Sequence, residues 1–299
     1  MAYDQLPDYF PDQYDSMWQQ LLRQMDHLFG GTYMQSEISG DRKRFNQMDN
    51  LEMRLANGRA AETIVDERAN FARWLSPLKY EVTERLGEWD ASDLGSIVMP
   101  TGDLMTNHIS AYNRQRDAIC RDALEGNATT GLAGTTLTAL PAAQIVDEEF
   151  VRTGAGAQSG LTFAKVGRGN RILTANHNLK TDRFGMIGST EEEDLIQDVA
   201  EAKNSGDFNV IPTVPDGQID GKTWYGIQWR TYESLTTASN ITNCLLWQKR
   251  MLIFGDGQRK SFVDVLPEHS HALQIRETAR MGALRREEGG VVILETYHA

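Results

Sequence analysis

Residues 101–126 constrain the fold of this chain more than any other stretch. Thr101 can cap a helix that starts at Asp103, Met105, Ile109, Tyr112, Ile119 and Ala123 recur on one face, and Gly126 offers a terminator. A helix from Asp103 to Glu125 is about 34 Å long. A compact chain of 299 residues has a radius of gyration of only about 19 Å, so the rod is long for the body that must pack along it. Arg114, Arg116, Asp117, Arg121 and Asp122 fall mostly off the apolar stripe and are expected in solvent or against partners.

Upstream, Trp18, Leu21, Leu22, Met25 and Leu28 follow helical spacing until Gly30-Gly31, after a start set with Pro7 and Pro11 among tyrosines. A short amphipathic helix on an arm cannot bury its stripe alone, so it must dock on its own body or on a neighbouring chain. Residues 59–89 are strand-like, and Leu78–Leu86 alternates apolar with polar residues. With Trp74 and Trp89 towards its ends, this stretch predicts a projecting β-hairpin, or an ordinary edge hairpin on a sheet. Gly126–Val146 reads as a surface loop or extended connector. Ser159–Asn176 predicts a second helix, broken up by Gly167 and Gly169, with Leu161, Val166 and Ile172 as core contacts. Phe184–Gly188 resembles a short buried strand, after which Ser189 caps a helix to about Lys203 whose acidic first turn, Glu191–Asp194, suits the helix dipole.

The remainder is strand-rich. Trp224–Thr231 predicts one strand with Tyr225, Ile227 and Trp229 on one face; Met251–Phe254, Ser261–Leu266 and Ala272–Glu277 follow, then a hairpin from Arg280–Arg286 through Glu287–Gly290 into Val291–Thr296. The class is α+β, without the βαβ cadence of a doubly wound sheet.

Composition narrows the function. Hydrophobic residues at 40% and charged ones at 24% are ordinary globular usage, but 42 acidic against 30 basic residues leave a net charge of -12. That balance argues against a dedicated nucleic-acid binder, which must neutralise phosphates. Cys120 and Cys244 carry no CxxC spacing, which makes a reducing compartment the default. The opening residues lack the basic and apolar regions of a secretory signal, so the protein is expected to stay where it is made. Gly126–Val146 is uncharged, yet its glycines, threonines, Asn127 and Pro141 are too polar for a membrane span.

Motifs for chemistry are weak. Gly154, Gly156 and Gly160 are spaced one residue too long for a dinucleotide loop and follow no buried strand, so a flexible loop before a helix is expected. His269 and His271 would share a face if they lay on a strand, but no third ligand stands nearby, and a polar strand entry after Pro267 is the simpler account. Without a nucleophile, phosphate-loop or zinc-protease motif, the expectation is no enzyme, no cofactor and no metal.

Four strings occurring in order carry a resemblance. In Ala111–Gly126, Arg114 precedes Asp117 by three residues, and an apolar helix end and Gly126 precede a Thr/Gly-rich connector. Leu161-Thr-Phe-Ala-Lys165 opens the next helix, Phe184–Ser189 leads to Asp194-Leu195, and Gly282–Arg286 runs through Gly290–Ile293. Together they resemble the major capsid proteins of tailed bacteriophages, which have the Hong Kong 97-type fold; the match runs from about Asn70 to Thr296.

The resemblance implies an N-terminal arm (1–50), an extended β-hairpin loop (51–100), a peripheral domain (101–177) whose spine helix is 103–125, an axial domain (178–250) and return strands of the peripheral domain (251–299). It implies a self-assembling subunit of an icosahedral or prolate head that encloses double-stranded DNA, with a nanocompartment shell, encapsulin-like, as the alternative. The implied partners are many copies of itself in hexamers and pentamers, portal and scaffolding proteins, decoration proteins, and DNA contacted weakly without sequence specificity, with no membrane. The virion, assembled in the host cytoplasm, is the implied location. Subunit contacts are expected at Trp18, Trp74, Lys79, Tyr80, Trp89, Arg114, Arg116 and Asp117, since aromatics and arginines dominate tight interfaces. Between residues 60 and 90 only Lys79 could supply a lysine to a crosslink.

Overall fold

The computed structural model describes residues 24–49, 51–53, 55, 69–87, 103–204 and 218–298. In chain order these form strands β1 (Met34–Glu37), β2 (Lys43–Met48), β3 (Asn70–Leu75) and β4 (Leu78–Leu86), then helix α1 (Asp103–Glu125). Next come β5 (Ala128–Thr130), β6 (Thr136–Thr138), β7 (Ile145–Val146), helix α2 (Phe163–Ala175), β8 (Arg183–Ile187) and helix α3 (Ser189–Asn204). Strands β9 (Thr223–Trp224), β10 (Ile227–Thr231), β11 (Thr237–Ala238), β12 (Ile241–Gln248), β13 (Leu252–Leu266), β14 (Ala272–Arg285) and β15 (Val291–Tyr297) complete the chain. The class is α+β, and α1 has the bounds its periodicity predicts. Its buried positions differ from the expected stripe: Asp117, Cys120 and Leu124 are fully covered, whereas Ile109 is 42% exposed. Thr101 and the Met105 side chain lie outside the described residues.

Two compact units emerge, one of residues 1–26, 80–115 and 259–279, the other of 27–79, 116–258 and 280–299. The second is built on a seven-stranded sheet in the order β7-β15-β12-β8-β10-β9, with β11 on β12. Strand β12 runs antiparallel to β15 and β8, while β10 runs parallel to β8. Every residue of β8 is buried, which explains its uninterrupted run without polar alternation. Segments from 101–177, 178–250 and 251–299 thus share one sheet.

Helix α2 packs on that sheet through a glycine. A Cβ on Gly169 would stand 2.7 Å from Leu246 Cδ1 and 2.9 Å from Leu294 Cδ2, so the residue expected to break the helix instead lets it approach the strands. The helix starts at Phe163 rather than Ser159, because Thr162 takes the cap and its hydroxyl accepts the Lys165 N–H. At α3 the cap also shifts by one residue. The Glu192 N–H bonds to the Gly188 carbonyl and the Ser189 N–H donates to the Glu233 carboxylate, which makes Ser189 the first helical residue.

Several strand expectations are corrected. Trp224–Thr231 is not one strand but the hairpin β9–β10, since Tyr225 (φ 54°) and Gly226 (φ 76°) form a two-residue left-handed turn that pairs Trp224 with Ile227. The short strands expected at 251–254 and 261–266 merge into β13, and those at 272–277 and 280–286 into β14. The expected pairing of Arg280–Arg286 with Val291–Thr296 does not occur, because a 3₁₀ turn at Glu288–Gly290 sends β15 into the other sheet. Strand β4 matches its predicted span, but β3 and β4 belong to different sheets and form no hairpin together. Strand β3 instead pairs antiparallel with β2, from Lys43↔Leu75 to Met48↔Asn70. The stretch expected as a connector folds into the small hairpin β5–β6, which extends that sheet.

In the first unit, residues 259–266 and 272–279 form the distal part of the β13–β14 ribbon, beside the edge strand β4. Arg259 donates to the Glu277 carboxylate at 2.9 Å and lies 4.4 Å above the Tyr112 ring; Arg276 donates to Glu81 at 2.5 Å. Among the described residues no helix is long and apolar enough to cross a membrane.

Candidate assembly surfaces

Any surface offered to another subunit must first be held by its own chain, and in the second unit the holding begins at residues 27–33. Asp117, fully buried on α1, accepts the backbone N–H groups of Leu28 at 3.0 Å and Phe29 at 3.1 Å, and its carboxylate lies 2.6 Å from His27 Nδ1. His27 Nε2 is 2.9 Å from the Tyr33 hydroxyl, which also accepts from Arg116 at 2.7 Å. Burial pushes Tyr33 up to about 12 even though the neighbouring Arg116 charge opposes it. Phe29 stacks on Trp247 at 5.4 Å and meets Tyr232 edge-on, and the Trp247 indole donates to the Thr32 carbonyl at 3.0 Å. Residues 27–33 are therefore locked into this unit's core by a buried carboxylate and an aromatic stack.

This corrects the expectation that Asp117 lies in solvent; Arg116 is half-buried. Asp117 has no exposed surface, and Arg116 serves Tyr33 and covers the Phe254 ring at 5.0 Å. In the first unit, Arg114 donates to the Gln24 carbonyl at 3.1 Å. Trp74, half-buried, seats its ring against Gly134, where a Cβ would come within 2.8 Å, and donates to the Gly131 carbonyl at 2.8 Å. It anchors the β5–β6 hairpin of its own chain. Lys79 is exposed and Tyr80 partly so, both on β4, while Trp18 and Trp89 lie outside the described residues.

A second anchor escaped sequence reasoning. The Arg285 guanidinium, buried in the second unit, donates to the carbonyls of Leu124 at 2.7 Å, Gly126 at 2.8 Å and Thr138 at 3.3 Å, tying the end of α1 to the β5–β6 hairpin. Nearby, Arg73 pairs with Glu288 at 2.6 Å. Burial resists ionisation of Glu288, but the Arg73 hydrogen bond and the charges of Arg73 and Arg285 outweigh it and hold the carboxyl below its ordinary range. The one sequence signal was the string containing Arg285-Arg286.

Exposed apolar surface remains in both units. In the second, Met48, Phe71, Leu132 and Leu137 project from the β2-β3-β5-β6 sheet, and most of them border a groove with Arg73 and Glu287. In the first, Phe262, Val263 and Val265 are between 41% and 56% exposed near the ribbon tip. Clusters of this kind mark contact sites when they exceed isolated residues. His269 and His271 do not share a strand face: His269 sits in a 3₁₀ turn and His271 has a left-handed backbone, φ 55°, both exposed. The Gly154–Gly160 segment is a loop before α2, with no strand leading into it.

A phage capsid protein family matches residues 6–297, nearly the whole chain. The chain belongs to that family. The capsid protein of Ralstonia phage GP4 superposes with a TM-score of 0.72 at 11% identity, covering 100% of this chain and 98% of that one. The capsids of cyanophage Pam1 (TM-score 0.70, 13% identity, 99% of each chain) and cyanophage P-SCSP1u (0.69, 12%, 98% and 94%) are similar. No curated protein sequence matches it. The fold of this capsid protein is thus of the Hong Kong 97 type, and its role is that of a structural subunit of a virion; the nanocompartment alternative is not favoured. In a capsid protein the buried Asp117 and Arg285 networks have a plain use. They tie the start of the described chain, the end of α1 and the β5–β6 hairpin into one unit.

Proposed function

We propose that this capsid protein is the repeating unit of a closed head, icosahedral or prolate, whose hexamers and pentamers enclose double-stranded DNA. The observation that carries this reading is the family match over residues 6–297. Heterologous contacts that close into rings produce such capsomers. Assembly takes place in the host cytoplasm around scaffolding and portal proteins, decoration proteins bind the finished shell, and the packaged DNA is touched weakly and without sequence preference. The work is mechanical rather than catalytic. Residues 1–50 act as the arm, 51–100 as the extended loop, 101–177 with 251–299 as the peripheral domain and 178–250 as the axial domain. Trp18, Lys79, Tyr80 and Trp89 serve as contacts between subunits, with Trp74 and Arg114 shaping surfaces beside them. Exposed apolar groups on the β2-β3-β5-β6 sheet support this reading, because a solitary chain gains nothing by leaving them in water. Co-expression with the scaffolding and portal genes of the same phage, followed by light scattering and negative-stain microscopy, should yield closed particles holding nuclease-protected DNA. A chain that stays monomeric under those conditions overturns the reading.

A further inference from the structure

At the C-terminal end of α2 a cleft of about 520 Å³ opens, lined by Asn170, Arg171, Thr174, Lys180, Arg183 and Tyr225 among others, with no acidic residue among its lining. Arg183 forms a closed floor: burial lowers its pKa, and its donors go to the carbonyls of Leu179 and Asn178, to the Thr174 hydroxyl and to Asn170. Arg171 and Lys180 are exposed, and neither has an ion-pair or hydrogen-bond partner among the described residues. In a chain of net charge -12, a pocket of three cations is locally reversed in sign.

The other end of the same helix is acidic. Lys165, on the first turn of α2, donates to the carbonyls of Ser159, Gly160 and Glu295 at 2.6–3.0 Å, and the carboxylates of Asp147, Glu148 and Glu295 lie within 4.8 Å of one another beside it. Pairing of β7 with β15 brings them together, since Val146 lies opposite Leu294. Burial and the neighbouring Glu148 and Asp147 push the Glu295 carboxyl up, the mark of negative charge that its surroundings do not fully answer. From Lys165 to Thr174 the helix rises about 14 Å. One rigid helix therefore carries an unanswered positive cleft at one end and an excess of negative charge at the other.

We propose that the cleft around Arg171 and Lys180 receives the acidic edge Asp147–Glu149 of a second copy, so that neighbouring subunits join head to tail through opposite charges. The inference rests on the capsid reading and adds the contact that sets the order of subunits within a ring. A contact between two different surfaces of one chain is heterologous, which is what ring closure requires. The occupant is a copy rather than nucleic acid, because the net charge repels a polyanion on approach while every copy brings the matching acids.

The test uses the full chain co-expressed with its assembly partners. Arg171→Glu with Lys180→Glu should reduce assembled particles at least about tenfold, because like charges would then face each other across the interface. Asp147→Lys with Glu148→Lys should do the same, and the chain carrying all four changes should recover particles, since every contact is again complementary. The milder pair Arg171→Gln and Lys180→Gln, with circular dichroism as the folding control, should give particles that dissociate at lower salt than the parent. Unimpaired assembly of the cleft reversal, or no recovery in the fourfold variant, overturns the charge contact and leaves the capsid reading standing. Normal shells that fail to retain DNA would assign the cleft to phosphate and also overturn it. Absence of shells from the parent chain would instead strike at the capsid reading itself.

Discussion

Asp117 carries a charge with no exposed surface, and that is tolerable because each oxygen has an assigned donor: Leu28 N–H, Phe29 N–H and His27. Asp117→Ala takes the carboxylate from the buried Phe29 N–H, the partly buried Leu28 N–H and His27 Nδ1. It should destabilise the unassembled subunit by about 3 kcal/mol or more, with Asp117→Asn costing less, as read from urea unfolding midpoints. Lys165 gives a pH signature. Burial brings its ammonium down from 10.5 to about 8, so between those values the unfolded chain holds a proton that the folded chain has lost. The unfolded state binds more protons there, so this residue's contribution to stability rises as pH increases from 8 to 10.5. Urea unfolding at pH values across that window should show the upward slope, and Lys165→Met should flatten it. Glu288 works in the same sense at lower pH: its lowered pKa adds stability that is fully present above the unfolded value and is lost as acid titrates the paired carboxylate. None of these roles was legible in sequence, where Asp117 looked solvated and Arg285 and Lys165 were only letters in strings.

Elements were far more readable than their neighbours. Helix α1 and strand β4 have the bounds their patterns predict, because a 3.6-residue or two-residue period is a local property of the chain. Pairing is not local. Nothing in Leu78–Leu86 says that its partner is β14 rather than β3, and the turn at Tyr225–Gly226 hid because a tyrosine at φ 54° lacks the usual Asn-Gly signature. Gly169 was read as a break in its helix, whereas it is a point of close approach to the sheet, and Gly185 within β8 is another such point. A Cβ at Gly185 would lie 2.7 Å from the buried Trp229 ring, so Gly185→Ala should cost about 1–3 kcal/mol through overpacking. Thermal unfolding of the purified subunit, beside the exposed control Gly40→Ala, which has no left-handed backbone and no close neighbour, checks it.

For the whole molecule the decisive surfaces are those a single chain leaves uncovered. Phe71 and Leu137 are 55% and 65% exposed on the β2-β3-β5-β6 sheet. Phe71→Ser with Leu137→Ser should change subunit stability by no more than about 0.5 kcal/mol per site, as exposed positions do. The same pair should sharply reduce particle yield in light scattering, which separates an assembly role from a folding role. The net charge of -12 also belongs to this scale. A wall that repels phosphates weakly, over a screening length of about 8–10 Å in physiological salt, lets packaged DNA slide; the inner face of assembled heads should therefore be neutral to acidic on average, which cryo-electron microscopy of filled particles will check.

The sequence alone determined the α+β class, the long helix, the alternating edge strand and, through four ordered strings, the capsid family. Those depend on periodicity and on short-range motifs, which are written along the chain. Only the tertiary structure decided that β13 and β14 are long continuous strands, that Asp117 and Arg285 are buried anchors, and that one end of α2 is basic and the other acidic. Each of these turns on which distant residue lies within a few ångströms, and burial, pairing and the sign of a local field exist only once the chain has folded back on itself.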